Sequence, residues 1–195
     1  MRELERPLSA IWIVVLGLAL AAIVLVLIYN GLVRARALVR EGWSGVTVQL
    51  RRRADLVPNL VSSVKGYVAH ERGLLETVTA RRAEAVQAKS PPDAVRADAA
   101  LDGALGRLMV LAEAYPDLKA DQTFLALQAE LAAVETELQS ARRYYNATVR
   151  DLNTKIATFP ALLIAGPLGF HEEPSFTDDD PGLGAAPAVQ FDAAR

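Results

Sequence analysis

The sequence contains no cysteine, which excludes disulfide staples and thiolate metal sites, although it does not identify a compartment. Only two histidines are present, so sites built on several imidazoles are ruled out as well. Strand signals are missing: the one Asn-Gly pair, Asn30-Gly31, ends an apolar run instead of joining two alternating ones. Charge of either sign is nearly balanced at a net −2, which gives no basic surplus for nucleic acid. What is abundant is apolar residues, 52% of the chain. In 195 residues that is enough for one domain with accessory segments.

The longest apolar run comes first. No charged residue occurs between Pro7 and Val33, and the stretch from Ser9 to Ile28 is long enough to cross a bilayer as a helix. Its isoleucines, leucines and valines give an insertion free energy of roughly −4 to −7 kcal/mol. Trp12 and Tyr29 lie near its two ends, where amphipathic rings favour the interface. A cleaved signal peptide competes, because Ala19-Leu20-Ala21 fits the small-residue pattern. The run continues through Ile23 to Ile28, well past that site, which favours a retained anchor. Arg34, Arg36 and Arg40 follow it closely, against Arg2 and Arg6 before it. The bias predicts an outside N-terminus and a cytoplasmic body.

Beyond the anchor, apolar residues recur at helical spacing four times. Leu32, Val39, Trp43, Val46, Leu50 and Val57 form the first stripe, and Leu60, Val64, Tyr67, Leu74 and Val78 the second. The third is Leu101, Leu105, Leu108, Ala112 and Tyr115, opened by Ser90 as a cap with Pro91 and Pro92 in the first turn. The fourth starts from a capping Asp121 and runs through Phe124, Leu127, Leu131, Val134, Leu138, Ala141, Tyr145, Val149, Leu152, Ile156 and Phe159, where Pro160 ends it. The fold class expected is all-α: a single N-terminal transmembrane helix followed by an elongated antiparallel four-helix bundle. Residues 1–30 form the short N-terminus and anchor, 31–160 the bundle, and 161–176 an apolar extension. Residues 177–195, acidic and then rich in Gly, Ala and Pro, are expected to be disordered.

One short stretch, "RRRADLVPNL", breaks the pattern. It is read as a reversal, with the first body helix ending among Arg51, Arg52 and Arg53, Asp55 capping the next helix and Pro58 in its first turn. A kink in one continuous helix is the alternative.

The segments "YNGLVRARALVREGWSGVTVQLRRRADLVPNLVSSVKGYVAHERGLLETVTARRAEA", "YPDLKADQTFLALQAEL", "ARRYYNATVRDLNTKIATFP" and "GFHEEPSF" together resemble the LemA family. The resemblance covers residues 29–176, nearly everything outside the anchor and tail. It implies a bacterial, single-span membrane protein with a helical-bundle body and no established enzymatic activity. The family commonly has alanine-tryptophan at Gly42-Trp43, asparagine at Ala37 and isoleucine-aspartate at Val46-Thr47. The missing acidic residue at Thr47 removes one partner for the nearby arginines.

No candidate chemistry survives inspection. His70-Glu71 opens like a zinc-protease helix, but Leu74 stands where the second histidine must be. His171 beside Glu172 and Glu173 offers at most an adventitious metal contact. Ser44, Ser62 and Ser63 have no histidine–carboxylate partners. No catalytic residue, cofactor or metal is therefore expected, and the chain is not read as an enzyme.

The one patch suited to more than packing is Arg51, Arg52, Asp55, Asn59 and Lys65, read either as caps and solvated ion pairs or as a recognition surface at the tip far from the membrane. Asn146 and Asn153, on one face of the last helix, are candidates for fixing helix register. Residues 161–176 are expected either to pack on the base of the bundle or to touch the membrane or a neighbouring copy. The function expected is a membrane-anchored scaffold or interaction module, self-assembling through small residues Ala126, Ala129, Ala133 and Ala147. Its partners are the lipid bilayer, copies of itself and a membrane protein. A sensory or regulatory subunit of a membrane protease or transporter is the runner-up.

Overall fold

The computed structural model describes residues 2–68 and 71–176, with side chains from Trp12 onward. Ser9, His70 and the tail 177–195 lie outside the residues whose side chains are described. Among the described residues the order is α1 (Arg2–Lys65), α2 (Arg72–Gln87), α3 (Pro91–Glu113), a short α4 (Pro116–Lys119), α5 (Gln122–Ala157) and a 3₁₀ turn, Ala161–Leu163, with no strand.

The all-α expectation holds, but the reversal at residues 51–58 does not. α1 is a single helix of 64 residues, roughly 95 Å long at 1.5 Å per residue, and it passes through the three arginines and Pro58. The helix ends instead at Lys65, with a turn at Gly66 and Tyr67, and α2 begins at Arg72. Asp55 is therefore an exposed mid-helix residue, not a cap, and Leu60 and Val64 belong to the first helix.

Two effects overrule the proline. Pro58 has no N–H for the Ala54 carbonyl one turn earlier, and Arg82 of α2 replaces it, donating from Nε at 3.1 Å. The same guanidinium stands 3.7 Å from Asp55. An interior proline costs about 3 kcal/mol, partly through that orphaned carbonyl. Continuity also keeps Leu56, Val57, Leu60 and Val64 on one buried face, which a reversal would have split.

The remaining helix ends follow local chemistry. Ser90 Oγ accepts from the backbone N–H of Asp93, with prolines in the first turn of α3. Asp121 accepts from Phe124 N at 2.9 Å and opens α5. α1 and α5 pack antiparallel along their length, with Gly42 beside Tyr145, Arg53 beside Glu135 and Tyr67 beside Asp121. At Gly42 the two backbones approach closely: an added Cβ would meet Tyr145 Cα at 3.1 Å and Thr148 Oγ1 at 3.3 Å. α2 and α3 pack on each other, and α2 lies along the distal part of α1.

The core divides in two. α1, α2, α3, α4 and α5 all contribute to the distal cluster, which includes Leu60, Val64, Val78, Leu108, Leu118, Phe124 and Val134. The buried residues of the proximal one come from α1, α5 and residues 165–176, around Leu32, Val39, Val46, Leu138, Tyr145, Val149 and Leu152, with Val95 of α3 packed against them. Toward the N-terminus α1 leaves the bundle altogether: Trp12, Leu16, Leu18 and Leu20 are exposed on a stretch long and apolar enough to cross a membrane.

Candidate functional site

The three adjacent arginines of α1 meet different environments because successive helical residues are about 100° apart. Arg51 and Arg52 face out, and Arg52 reaches Glu130 only at 3.6 Å with both side chains about half exposed, a pair worth ~0–1 kcal/mol. Arg53 faces in and is 6% exposed. Its Nη1 donates to Asp98 Oδ1 at 3.0 Å, and its Nη2 pairs with Asp102. Glu135 of α5 stands 3.2 Å from Nη1, in ion-pair range but without hydrogen-bond geometry. Arg142, also on α5, closes the group by pairing with the other oxygen of Asp98.

Two cations and three carboxylates from three helices thus meet at the boundary between the two apolar clusters. Burial pushes the Asp98 carboxyl above the usual carboxylate range, against the pull of Arg53 and Arg142. Arg53 is desolvated, yet its carboxylate neighbours, Asp98 foremost, raise its affinity for the proton and keep it charged. The network needs no acidic residue at position 47, where Thr47 bonds to the Trp43 carbonyl of its own helix.

Of the expected recognition patch, Arg51, Arg52, Asp55, Asn59 and Lys65 are all exposed. They do not gather at the tip. Arg51, Asp55 and Asn59 follow one another at four-residue steps along the flank of α1, and only Lys65 stands at the distal end.

Nearer the membrane segment, residues 165–176 return along α5 as a strap. Gly169, at φ 75°, makes the sharp exit from the preceding turns that a side-chain-bearing residue would resist. The strap is fixed by two asparagines that act as backbone mimics. Asn146 donates to Phe176 O at 3.0 Å and accepts from Phe176 N at 2.8 Å; Asn153 does the same for Glu173 at 2.9 and 3.0 Å. Seven helical residues span ~10 Å, and so do three extended ones, so the two ladders are in register. The asparagines therefore hold this segment, not helix register.

Phe176 stacks on Trp43 at 5.9 Å and meets Tyr145 edge-on at 5.2 Å, while the Tyr145 hydroxyl donates to Pro174 O. Burial raises the Tyr145 phenol above its ordinary value, with Glu173 adding to the effect. A cleft of about 400 Å³ opens beside the strap, lined by Arg36, Arg40, Trp43, Tyr145 and His171 among others. Among the described residues no group of three His, Asp or Glu side chains is placed to hold a metal.

The polar centre was visible in outline. Residues 46, 50, 53, 57, 60 and 64 step by four and three, so Arg53 fills the seven-residue gap in the first stripe. Asp98 likewise falls on the stripe of Ala94, Leu101 and Leu105. A charge on an apolar face is the signal for a buried partner, and two such charges of opposite sign identify each other's type though not their pairing.

Comparison with known proteins agrees with this architecture. The LemA family model matches residues 42–191. Magnetosome protein MamQ 2 of Paramagnetospirillum magneticum is 25% identical, over 93% of this chain and 77% of its own length. Magnetosome protein MamQ of Magnetospirillum gryphiswaldense is 27% identical, over 89% and 76%. Protein LemA of Metamycoplasma hominis is 29% identical, over 67% and 60%. This membership and the apolar N-terminal helix fit a membrane-anchored protein. With a match that spans well over half of its residues, the chain belongs to the LemA family.

Proposed function

We propose that this protein is a membrane-anchored scaffold without catalytic activity, which self-assembles at the membrane through the open flank of α5. The observation that carries this reading is the composition of that flank. Leu125, Ala129, Ala133, Thr136, Ser140 and Ala147 lie within one third of the helix circumference, and all are exposed. The hydroxyls of Thr136 and Ser140 turn back onto carbonyls of their own helix at 3.0 and 3.1 Å. Arg143, exposed on the same side, donates from Nη2 to Ser140 Oγ at 2.9 Å, so the small part of the face is the stretch from Ala129 to Ser140, where small side chains and satisfied hydroxyls suit close approach of a second helix. The body lies on the cytoplasmic side in this proposal, because Arg34, Arg36 and Arg40 follow the apolar run closely.

The natural absence of cysteine makes the test direct. Single substitutions Ala129→Cys and Ala133→Cys, treated in cells with a short bismaleimide, should give a dimer ladder. Strict monomers, together with one distinct stoichiometric partner captured instead, would replace this reading with a regulatory subunit of another membrane protein. Protease digestion of the body in inverted vesicles but not in intact cells checks the sidedness.

A further inference from the structure

We infer that residues 159–168 form a second membrane contact, an apolar foot immersed in the acyl chains of the same bilayer that the anchor crosses. The inference rests on the membrane-anchored reading of α1.

The end of α5 does not stop at the level of the charged residues of α1. Pro160, Leu163 and Ile164 share a cleft with Ala21, Val24 and Leu25, residues well inside the uncharged run. Val24 lies ten residues before Arg34, the first charge of the body, or ~15 Å along the helix axis, about half the thickness of a hydrocarbon core. Phe159, Leu162 and Leu163 are 75%, 58% and 66% exposed there, so nothing among the described residues covers them. From Ile156 to Phe170 there is no charged residue.

The chemistry is layered as a bilayer is. Leu163 is beside the aliphatic part of the anchor. Closer to the body, Phe170 packs edge-on against Tyr29 at 5.9 Å, at the aromatic level of an interface. Over the Phe170 ring sits the Arg36 guanidinium, 4.0 Å from its centre, and His171, Glu172 and Glu173 follow at once. Lys155 stands beside Gly31 and Leu32, at the end of the apolar run.

Non-helical backbone inside a bilayer must satisfy its own polar groups. This segment satisfies most of its donors, while the N–H groups of Phe159, Ala161 and Gly166 and the carbonyls of Leu162, Leu163 and Leu168 have no backbone partner. Pro160 and Pro167 have no N–H, and the N–H groups of Leu162, Leu163, Ile164, Ala165, Leu168, Gly169 and Phe170 all bond to carbonyls between Thr158 and Gly166.

The test uses the full chain in phosphatidylcholine–phosphatidylglycerol vesicles, with an environment-sensitive fluorophore on Leu163→Cys, Val24→Cys or Val110→Cys. Leu163 should be quenched by an acyl-chain spin label at least half as strongly as Val24, whereas Val110, exposed on α3, responds only to aqueous iodide. Unlabelled Leu163→Cys should react with a water-soluble maleimide at least tenfold more slowly than Val110→Cys, because a thiolate does not form in hydrocarbon. If Leu163 behaves like Val110 while Val24 remains lipid-quenched, the foot is wrong and the anchor stands. Iodide quenching at Val24 would remove the anchor itself. Leu163 shielded from both quenchers would mean a second copy covers it, which also overturns the inference.

Discussion

In the distal half of the bundle, all five helices supply the core, and its buried residues are wholly aliphatic, Phe124 excepted. In the proximal half α1 and α5 face each other with Val95 the one contribution of α3 to the cluster, and the gap is closed by a non-helical strap with Phe170 and Phe176, packed on Tyr29, Trp43 and Tyr145. Two helices cannot shield both sides of their shared seam from water, so the proximal half needs large flat side chains brought in from elsewhere. The strap does for α1 and α5 what α2 and α3 do further out. Between the halves lies the Arg53–Asp98–Arg142 layer, where α3 approaches both long helices.

If that layer joins the halves, breaking it should have the largest effect. Arg53→Ala leaves Asp98 with one partner and should cost about 3–5 kcal/mol, read as a fall in the chemical denaturation midpoint by circular dichroism in detergent. A pair of apolar replacements, Arg53→Met with Asp98→Leu, should recover much of the loss.

The next change should affect one half alone. Phe176→Ala should cost about 3 kcal/mol, with faster amide exchange in residues 32–46 and no change in residues 100–112. Uniform exchange across both halves would show that the two clusters unfold as one unit. Asn146→Ala, which strands both backbone groups of Phe176, should cost about 1–2 kcal/mol in the same proximal pattern, and Asn153→Ala, whose bonds to Glu173 are exposed, less.

Within the distal half, the proline and its arginine are coupled. Arg82→Ala should cost about 1 kcal/mol in the native chain and almost nothing in a Pro58→Ala background, where residue 58 again supplies a donor to Ala54. Equal costs in both backgrounds would mean that Arg82 acts through Asp55 alone.

The smallest effect is a pH dependence. Asp98, raised by burial, holds its proton more tightly folded than unfolded. It therefore favours the fold below the ordinary carboxylate value of about 4 and loses that contribution as pH rises through its raised value. The stability difference between the native chain and Asp98→Asn should accordingly shift against the native chain as pH increases. A shift of opposite sign would mean that the two guanidiniums outweigh desolvation.

Much of this was legible in the order of residues. The caps Ser90 and Asp121 lie where their side chains predict, and the α5 stripe from Phe124 to Ile156 is buried almost residue for residue. Pro58 misled, because a proline reads as a local break and its remedy, Arg82, is supplied from another helix. Asn146 and Asn153 share a helix face, but nothing local says that a polar amide will meet a strap 20 to 30 residues later. The flank Arg51, Arg52, Asp55 and Asn59 drew attention by charge density, whereas Arg53 between them proved to be the buried one.

The sequence by itself determined the helices, their facing sides and the apolar run at the N-terminus, because periodicity and hydropathy are local properties of the chain. Tertiary structure alone decided where α1 ends, which carboxylates hold Arg53 and what closes the proximal seam. Each of those depends on a donor, a charge or a ring contributed by a distant segment, and the free energy of such a contact exists only once the two segments have been brought together.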